Sequence, residues 1–153
     1  MPKKVSRITL YRFNPLTDDA PRYQTFEVPL APGEATVLDA LKYIYEIHDS
    51  SLAFSYGCRN KGVKLCGLCT VLVNEKPSLA CKKLLEQMVT IKPLPGLPVL
   101  KDLIVDRTAV FTRIIKTHPA LCRLKAPLKE PEAINPEAHK KHSALSSCIA
   151  CYA

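Results

Sequence analysis

The stretch Cys58-Arg-Asn-Lys-Gly-Val-Lys-Leu-Cys66-Gly-Leu-Cys69-Thr-Val-Leu-Val73, with Cys81 beyond it, decides how this chain is read. Three thiols crowd into one glycine-bearing loop and a fourth returns after a short hairpin, as Cys-x7-Cys-x2-Cys-x11-Cys. Plant-type [2Fe–2S] sites share this layout, because a binuclear centre needs four thiolates converging from two directions. Such a centre also needs loop amides folded over the sulfurs, and glycines that let the backbone come close. Gly57, Gly62 and Gly67 occupy suitable positions. Zinc and a redox dithiol compete with this reading, since Cys66-Gly-Leu-Cys69 alone suits all three. Adding Cys58 and Cys81 at these spacings favours the cluster. Arg59, Lys61, Lys64, Lys82 and Lys83 flank the thiols. Beside an anionic centre, formally about −2 oxidised and about −3 reduced, they would favour the reduced state and raise its potential. As solvated loop residues they would do neither.

Working outward, Val5, Ile8 and Leu10 alternate with polar neighbours over residues 4–12 and predict a strand. Asn14 to Arg22 carries prolines and aspartates and predicts a loop. Tyr23 to Leu30 predicts a second strand paired with the first. Thr36 opens a helix, with Asp39 completing a capping box. Val37, Leu38, Leu41, Ile44 and Tyr45 form its apolar face. After the cysteine loop, Thr70–Val73 and Ser78–Cys81 predict strands around a turn at Asn74–Pro77, and Val89–Lys92 predicts another. Residues 100–116 read as mostly helical, residues 118–136 as a proline-dotted basic arm, and Glu137–Ser147 as the start of a helix. The order predicts an α+β fold, a small mixed sheet with one helix across it, for which a β-grasp domain fits. We expect a β-grasp unit over residues 1–100 and a helical, basic segment over 101–153.

Composition narrows the functional classes. A chain of 153 residues with 47% hydrophobic and 24% charged residues can bury a core. No stretch reaches the roughly 20 apolar residues of a membrane span. Met-Pro-Lys-Lys-Val-Ser-Arg has no apolar run behind it, so no signal peptide is expected and a cytoplasmic location is the default. Seven cysteines, an odd number, disfavour a fully paired disulfide framework and point to metal. Residues 1–75 hold 9 Lys/Arg against 8 Asp/Glu, and residues 76–153 hold 13 against 6. The excess of positive charge is spread along the second half without a nucleic-acid motif. It predicts a partner surface of opposite charge rather than nucleic acid.

Several segments together carry a resemblance. Phe26-Glu-Val-Pro-Leu30, Thr36-Val-Leu-Asp-Ala-Leu-Lys-Tyr-Ile44, Leu52-Ala-Phe-Ser-Tyr-Gly-Cys58-Arg, Cys66-Gly-Leu-Cys69 and Leu79-Ala-Cys81-Lys stand in order. Ile91-Lys-Pro-Leu-Pro-Gly-Leu-Pro-Val-Leu-Lys-Asp-Leu-Ile-Val-Asp106 follows them. The chain resembles the iron–sulfur subunit of succinate dehydrogenase and fumarate reductase. The resemblance implies a β-grasp [2Fe–2S] ferredoxin-like domain followed by the beginning of a helical ferredoxin domain. It implies a relay of electrons between a flavoprotein subunit and a quinone-linked membrane anchor, peripheral to the inner membrane through those partners. The dicarboxylate chemistry would belong to the flavin partner. Cys58, Cys66, Cys69 and Cys81 would bind [2Fe–2S], and Cys148 and Cys151 would open a [4Fe–4S] motif.

Two departures from the family pattern stand out. Seven residues separate Cys58 from Cys66, where about four are usual. Lengthening a flexible loop this much adds little closure entropy, so Cys58 still reaches. The sequence stops after Cys151-Tyr-Ala153, just before the family's third [4Fe–4S] cysteine would fall. The expectation is therefore a partial second site, with [4Fe–4S] bound only if the chain continues. Cys122 matches no ligand position and reads as an idle thiol. His139, His142, Cys148 and Cys151 make a Cys2His2 zinc set only in reversed order. The alternatives are the [2Fe–2S] small subunit of another flavin or molybdenum oxidoreductase, and a zinc-stabilised interaction module.

Overall fold

The structure is a computed structural model that describes residues 5–57, 66–116 and 135–145. The strands β1 (Ser6–Arg12), β2 (Arg22–Val28), β3 (Thr70–Val73), β4 (Lys76–Leu79) and β5 (Met88–Lys92) form one mixed sheet, ordered β2-β1-β5-β3-β4. β1 pairs antiparallel with β2 and parallel with β5, while β3 pairs antiparallel with both β4 and β5. Helix α1 (Val37–Tyr43) covers this sheet. Val37, Leu38, Ala40 and Leu41 of the helix join Ile8, Leu10, Phe26, Val28, Val71, Val73, Val89 and Ile91 in one buried core. This is the predicted β-grasp arrangement. The capping box is present as expected: Thr36 Oγ1 accepts from the Asp39 amide at 3.2 Å, and the Asp39 carboxylate accepts from the Thr36 amide at 2.9 Å.

The strand and helix phases differ from expectation at two residues. Val5 is 39% exposed, because a strand repeats every second residue and Val5 cannot share a face with Ile8 and Leu10. The inward positions flanking those two residues belong to Ser6 and Arg12, both buried. Tyr45 is 44% exposed. It falls in a π-helical turn, Ile44–His48, whose Asp49 N–H to Ile44 C=O bond of 2.8 Å spans five residues and shifts the helix phase.

Turn chemistry moved two boundaries. Asn74 and Glu75 both have positive φ, 48° and 64°, the geometry of a two-residue hairpin turn that follows the sheet's own twist. Pro77 therefore lies inside β4 instead of in the turn, tolerated because β4 is an edge strand. Residues expected to start a long helix at Leu100 instead form a hairpin, β6 (Val99–Lys101) and β7 (Ile104–Val105), and helix α2 spans only Thr108–Lys116. Its β-branched Val99, Ile104 and Val105 suit strands, and Asp102 turns the chain at φ 48°. Helix α3 (Pro136–Leu145) falls where a helix was expected over Glu137–Ser147. The basic arm expected over 118–136 lies almost wholly outside the described residues.

A buried ion pair joins the β6–β7 hairpin to the sheet. The Arg12 and Asp102 side chains are each 3% exposed, with Arg12 Nε donating to Asp102 Oδ1 at 3.0 Å. Asp102 also accepts from the amides of Phe13 at 3.0 Å and Ala53 at 2.9 Å. The rest of the Arg12 fork donates to Gln24 at 3.1 Å, to Ser51 at 2.9 Å and to Asp49. Burial works against the Arg12 charge, yet hydrogen bonds to Asp49 and Asp102 outweigh it and raise its pKa.

Asp49 is held down from 3.8 to about 2, chiefly by the Ser51 hydroxyl and then by Arg12. A carboxylate whose pKa is depressed by folding stabilises the fold above its unfolded pKa. That contribution is lost as pH falls from about 4 to about 2. Urea titrations across this window should show wild-type stability falling more steeply with acid than that of Asp49→Asn.

Candidate iron–sulfur site

The cysteine loop leaves the core at Leu52, which is buried, and Ala53, whose backbone is held on both sides. Its N–H donates to Asp102 Oδ2, and its C=O accepts from the Leu103 amide at 3.2 Å. Phe54 and Tyr56 stack with ring centroids 5.8 Å apart, Tyr45 meets Phe54 edge-on at 6.0 Å, and Lys42 Nζ sits 4.7 Å from the Tyr56 ring. This aromatic ladder lines the approach to Gly57.

The descending arm of the loop runs against the ascending one. Ser55 Oγ donates to the Leu68 carbonyl at 2.8 Å. A Cβ placed on Gly57 would come 3.0 Å from Leu68 Cδ1, so a side chain there requires the Leu68 side chain to shift, and 3.5 Å from Cys66 Sγ, an ordinary contact. Gly67 takes φ 73°, a left-handed turn between the thiols, and its carbonyl accepts from Thr70 Oγ1 at 2.7 Å. Cys69 leads directly into β3. Across the hairpin its carbonyl accepts from the Ala80 amide at 3.0 Å, which sets Cys81 at the same end of the sheet as Cys69. The Ala80 carbonyl in turn accepts from Leu38 at the start of α1, at 2.9 Å.

Cys69 and Cys81 are buried, Cys66 is half-buried, and none of the three is in a disulfide. Among the described residues, no three of His, Cys, Asp and Glu gather closely enough to hold one metal ion. A binuclear centre asks for something else, two protein thiolates on each of two irons. The thiol donors, the left-handed Gly67 turn between Cys66 and Cys69, and the shielding of Cys69 and Cys81 fit such a group. Cys58, Cys122, Cys148, Cys151, Arg59, Lys61, Lys64 and Gly62 lie outside the described residues. Of the flanking cations, Lys83 is engaged by Glu86 at 2.5 Å and Lys82 is exposed. Sequence reasoning missed Arg107, whose Nη2 donates to the Leu68 carbonyl at 3.4 Å from 39 residues away. No local pattern announces a contact of that range.

A family profile described as a 2Fe-2S iron-sulfur cluster binding domain matches residues 7–112. This chain belongs to that family. As a member of the 2Fe-2S iron-sulfur cluster binding domain family, it takes a [2Fe–2S] cluster as its cofactor. It is 33% identical to the fumarate reductase iron-sulfur subunit of Haemophilus influenzae, over 96% of this chain and 62% of that one. It is 34% identical to the succinate dehydrogenase iron-sulfur subunit of Coxiella burnetii, over 94% of this chain and 61% of that one. An uncharacterized iron-sulfur protein of Methanocaldococcus jannaschii is 34% identical over 95% of this chain but only 28% of its own length. The chain thus spans less than two thirds of each of these relatives. The fold is shared with a chain of the Mycobacterium smegmatis Sdh1 complex, at a TM-score of 0.78 and 22% identity, over 97% of this chain and 61% of that one.

Proposed function

We propose that Cys58, Cys66, Cys69 and Cys81 hold the [2Fe–2S] cluster and that the chain is the electron-transfer iron–sulfur subunit of a succinate dehydrogenase or fumarate reductase. The observation that carries this reading is the identity of about one third along nearly the whole chain with subunits so named. The thiol-bearing loop and hairpin lie within the matched region. The cluster supplies one-electron transfer. The residues of the chain supply the rest. The thiolates would hold the irons, Gly67 turns the chain between Cys66 and Cys69, and the anchored Ala53 fixes the loop's entry.

In this reading the partners are a flavoprotein subunit, where succinate and fumarate interconvert, and a quinone-linked membrane anchor. The location is cytoplasmic, peripheral to the inner membrane through those partners. Among the described residues no helix is long and apolar enough to cross a membrane. Cys148 and Cys151 would be two ligands of a [4Fe–4S] site only if the chain continues beyond residue 153. We place the end of the β-grasp unit after β7, past the boundary drawn at residue 100, because Leu103 is part of its core.

The test uses the full chain and the flavoprotein subunit encoded in the same genome. Dithionite-reduced chain, freed of excess reductant, should regain its visible absorbance on adding fumarate only when the flavoprotein is present. A chain that ferricyanide reoxidises, but fumarate with flavoprotein does not, would contradict the proposed partner.

A further inference from the structure

The segment from Asp102 to Arg107 grips both arms of the cysteine loop. At its start, Asp102 and Leu103 hold the amide and carbonyl of Ala53 on the descending arm. At its end, the Arg107 guanidinium bonds the Leu68 carbonyl, inside the Cys66-Gly67-Leu68-Cys69 turn. The backbone of Arg107 is itself fixed. Val105, two residues earlier, is buried, and the Arg107 carbonyl accepts from Val110 and Phe111 at 3.0 Å each as α2 begins. The neighbouring carboxylate, Asp106, turns to the Thr108 amide at 2.8 Å.

We propose that Arg107 is a fixed positive charge that raises the reduction potential of the cluster by holding its guanidinium against the Cys66–Cys69 turn. Two physical effects act together. Reduction adds one negative charge to a site that is already anionic, and a nearby cation stabilises that added charge more than it stabilises the oxidised state. Arg107 and Ser55 also draw the Leu68 carbonyl toward themselves. In a planar trans peptide the following N–H points the other way, so the Cys69 amide is directed away from both donors. In the redox step one electron enters from an external donor, and Arg107 gains and loses no proton or bond. The proposal rests on Cys66 and Cys69 being ligands.

The experiment is a dithionite titration, followed by EPR, of the full chain reconstituted with iron and sulfide. Wild type, Arg107→Lys, Arg107→Gln and Arg107→Glu are compared. The midpoint potential should fall in the order Arg, Lys, Gln, Glu. For Gln the reduced-to-oxidised ratio at a given ambient potential should drop about tenfold, a shift of about 59 mV for a one-electron couple. The oxidised visible spectrum should stay unchanged, and Lys should restore most of the potential. A role confined to packing would alter cluster loading without ordering the potentials by charge. Coloured variants sharing one potential, or a Lys variant as low as Gln, would overturn the proposal alone. A wild-type chain that takes up no cluster would overturn the ligand assignment and this proposal with it.

Discussion

Alanine at Cys69 is expected to remove nearly all visible absorbance and the EPR signal from the reconstituted chain, and Cys58, Cys66 and Cys81 should behave alike. Each iron of a binuclear centre is held by two protein thiolates. Removing one leaves an iron with a single protein anchor and an open position, from which the cluster is lost. Cys69 and Cys81 carry the added feature of burial beside the β3–β4 hairpin. Losing either one also removes a buried side chain that the core packs against. Cys122→Ala should leave the spectrum intact. Full colour in Cys58→Ala would show that the enlarged loop between Cys58 and Cys66 uses another ligand.

Asp102→Ala should destabilise the fold by about 3–5 kcal/mol, the cost of breaking a buried ion pair, even though Arg12 keeps Asp49 as a second carboxylate partner. Asp102 accepts from Arg12, Phe13 and Ala53, so truncation orphans a buried guanidinium nitrogen and two amides together. Against a total stability of roughly 5–15 kcal/mol this is a large share. Urea unfolding should show a lowered midpoint with an unchanged slope. Replacing both partners, as Arg12→Met with Asp102→Leu, should recover part of the loss, because a paired apolar substitution leaves neither charge stranded. It should not recover all of it, since Arg12 also ties Gln24, Asp49 and Ser51. A loss below about 1 kcal/mol for Asp102→Ala would mean that water reaches the pair and screens it.

Much of the fold is legible in the chain because its local signals agree with the global arrangement. The Thr36/Asp39 capping box, the alternation through β1 and the hairpin after Cys69 each specify structure within a few residues. The misreadings share one cause, a short-range signal overruled by geometry. Val5 looked inward until strand parity excluded it, and Pro77 looked like a turn until Asn74 and Glu75 supplied a tighter one. The start of the stretch 100–116 looked helical because periodicity over so few residues does not separate helix from strand. At the site, the four thiols are proposed from their spacing. Asp102 and Arg107 were not legible in the sequence, because each reaches the cysteine loop across a long stretch of chain.

The proposed role of the cysteine loop is to hold the [2Fe–2S] cluster of this chain. It is tested most directly by anaerobic reconstitution of the full chain, followed by metal analysis and low-temperature EPR after reduction with dithionite. Red-brown protein with about two irons and about two sulfides per chain is expected, with a rhombic signal that appears on reduction. Colourless protein carrying stoichiometric zinc, with no signal on reduction, would contradict it.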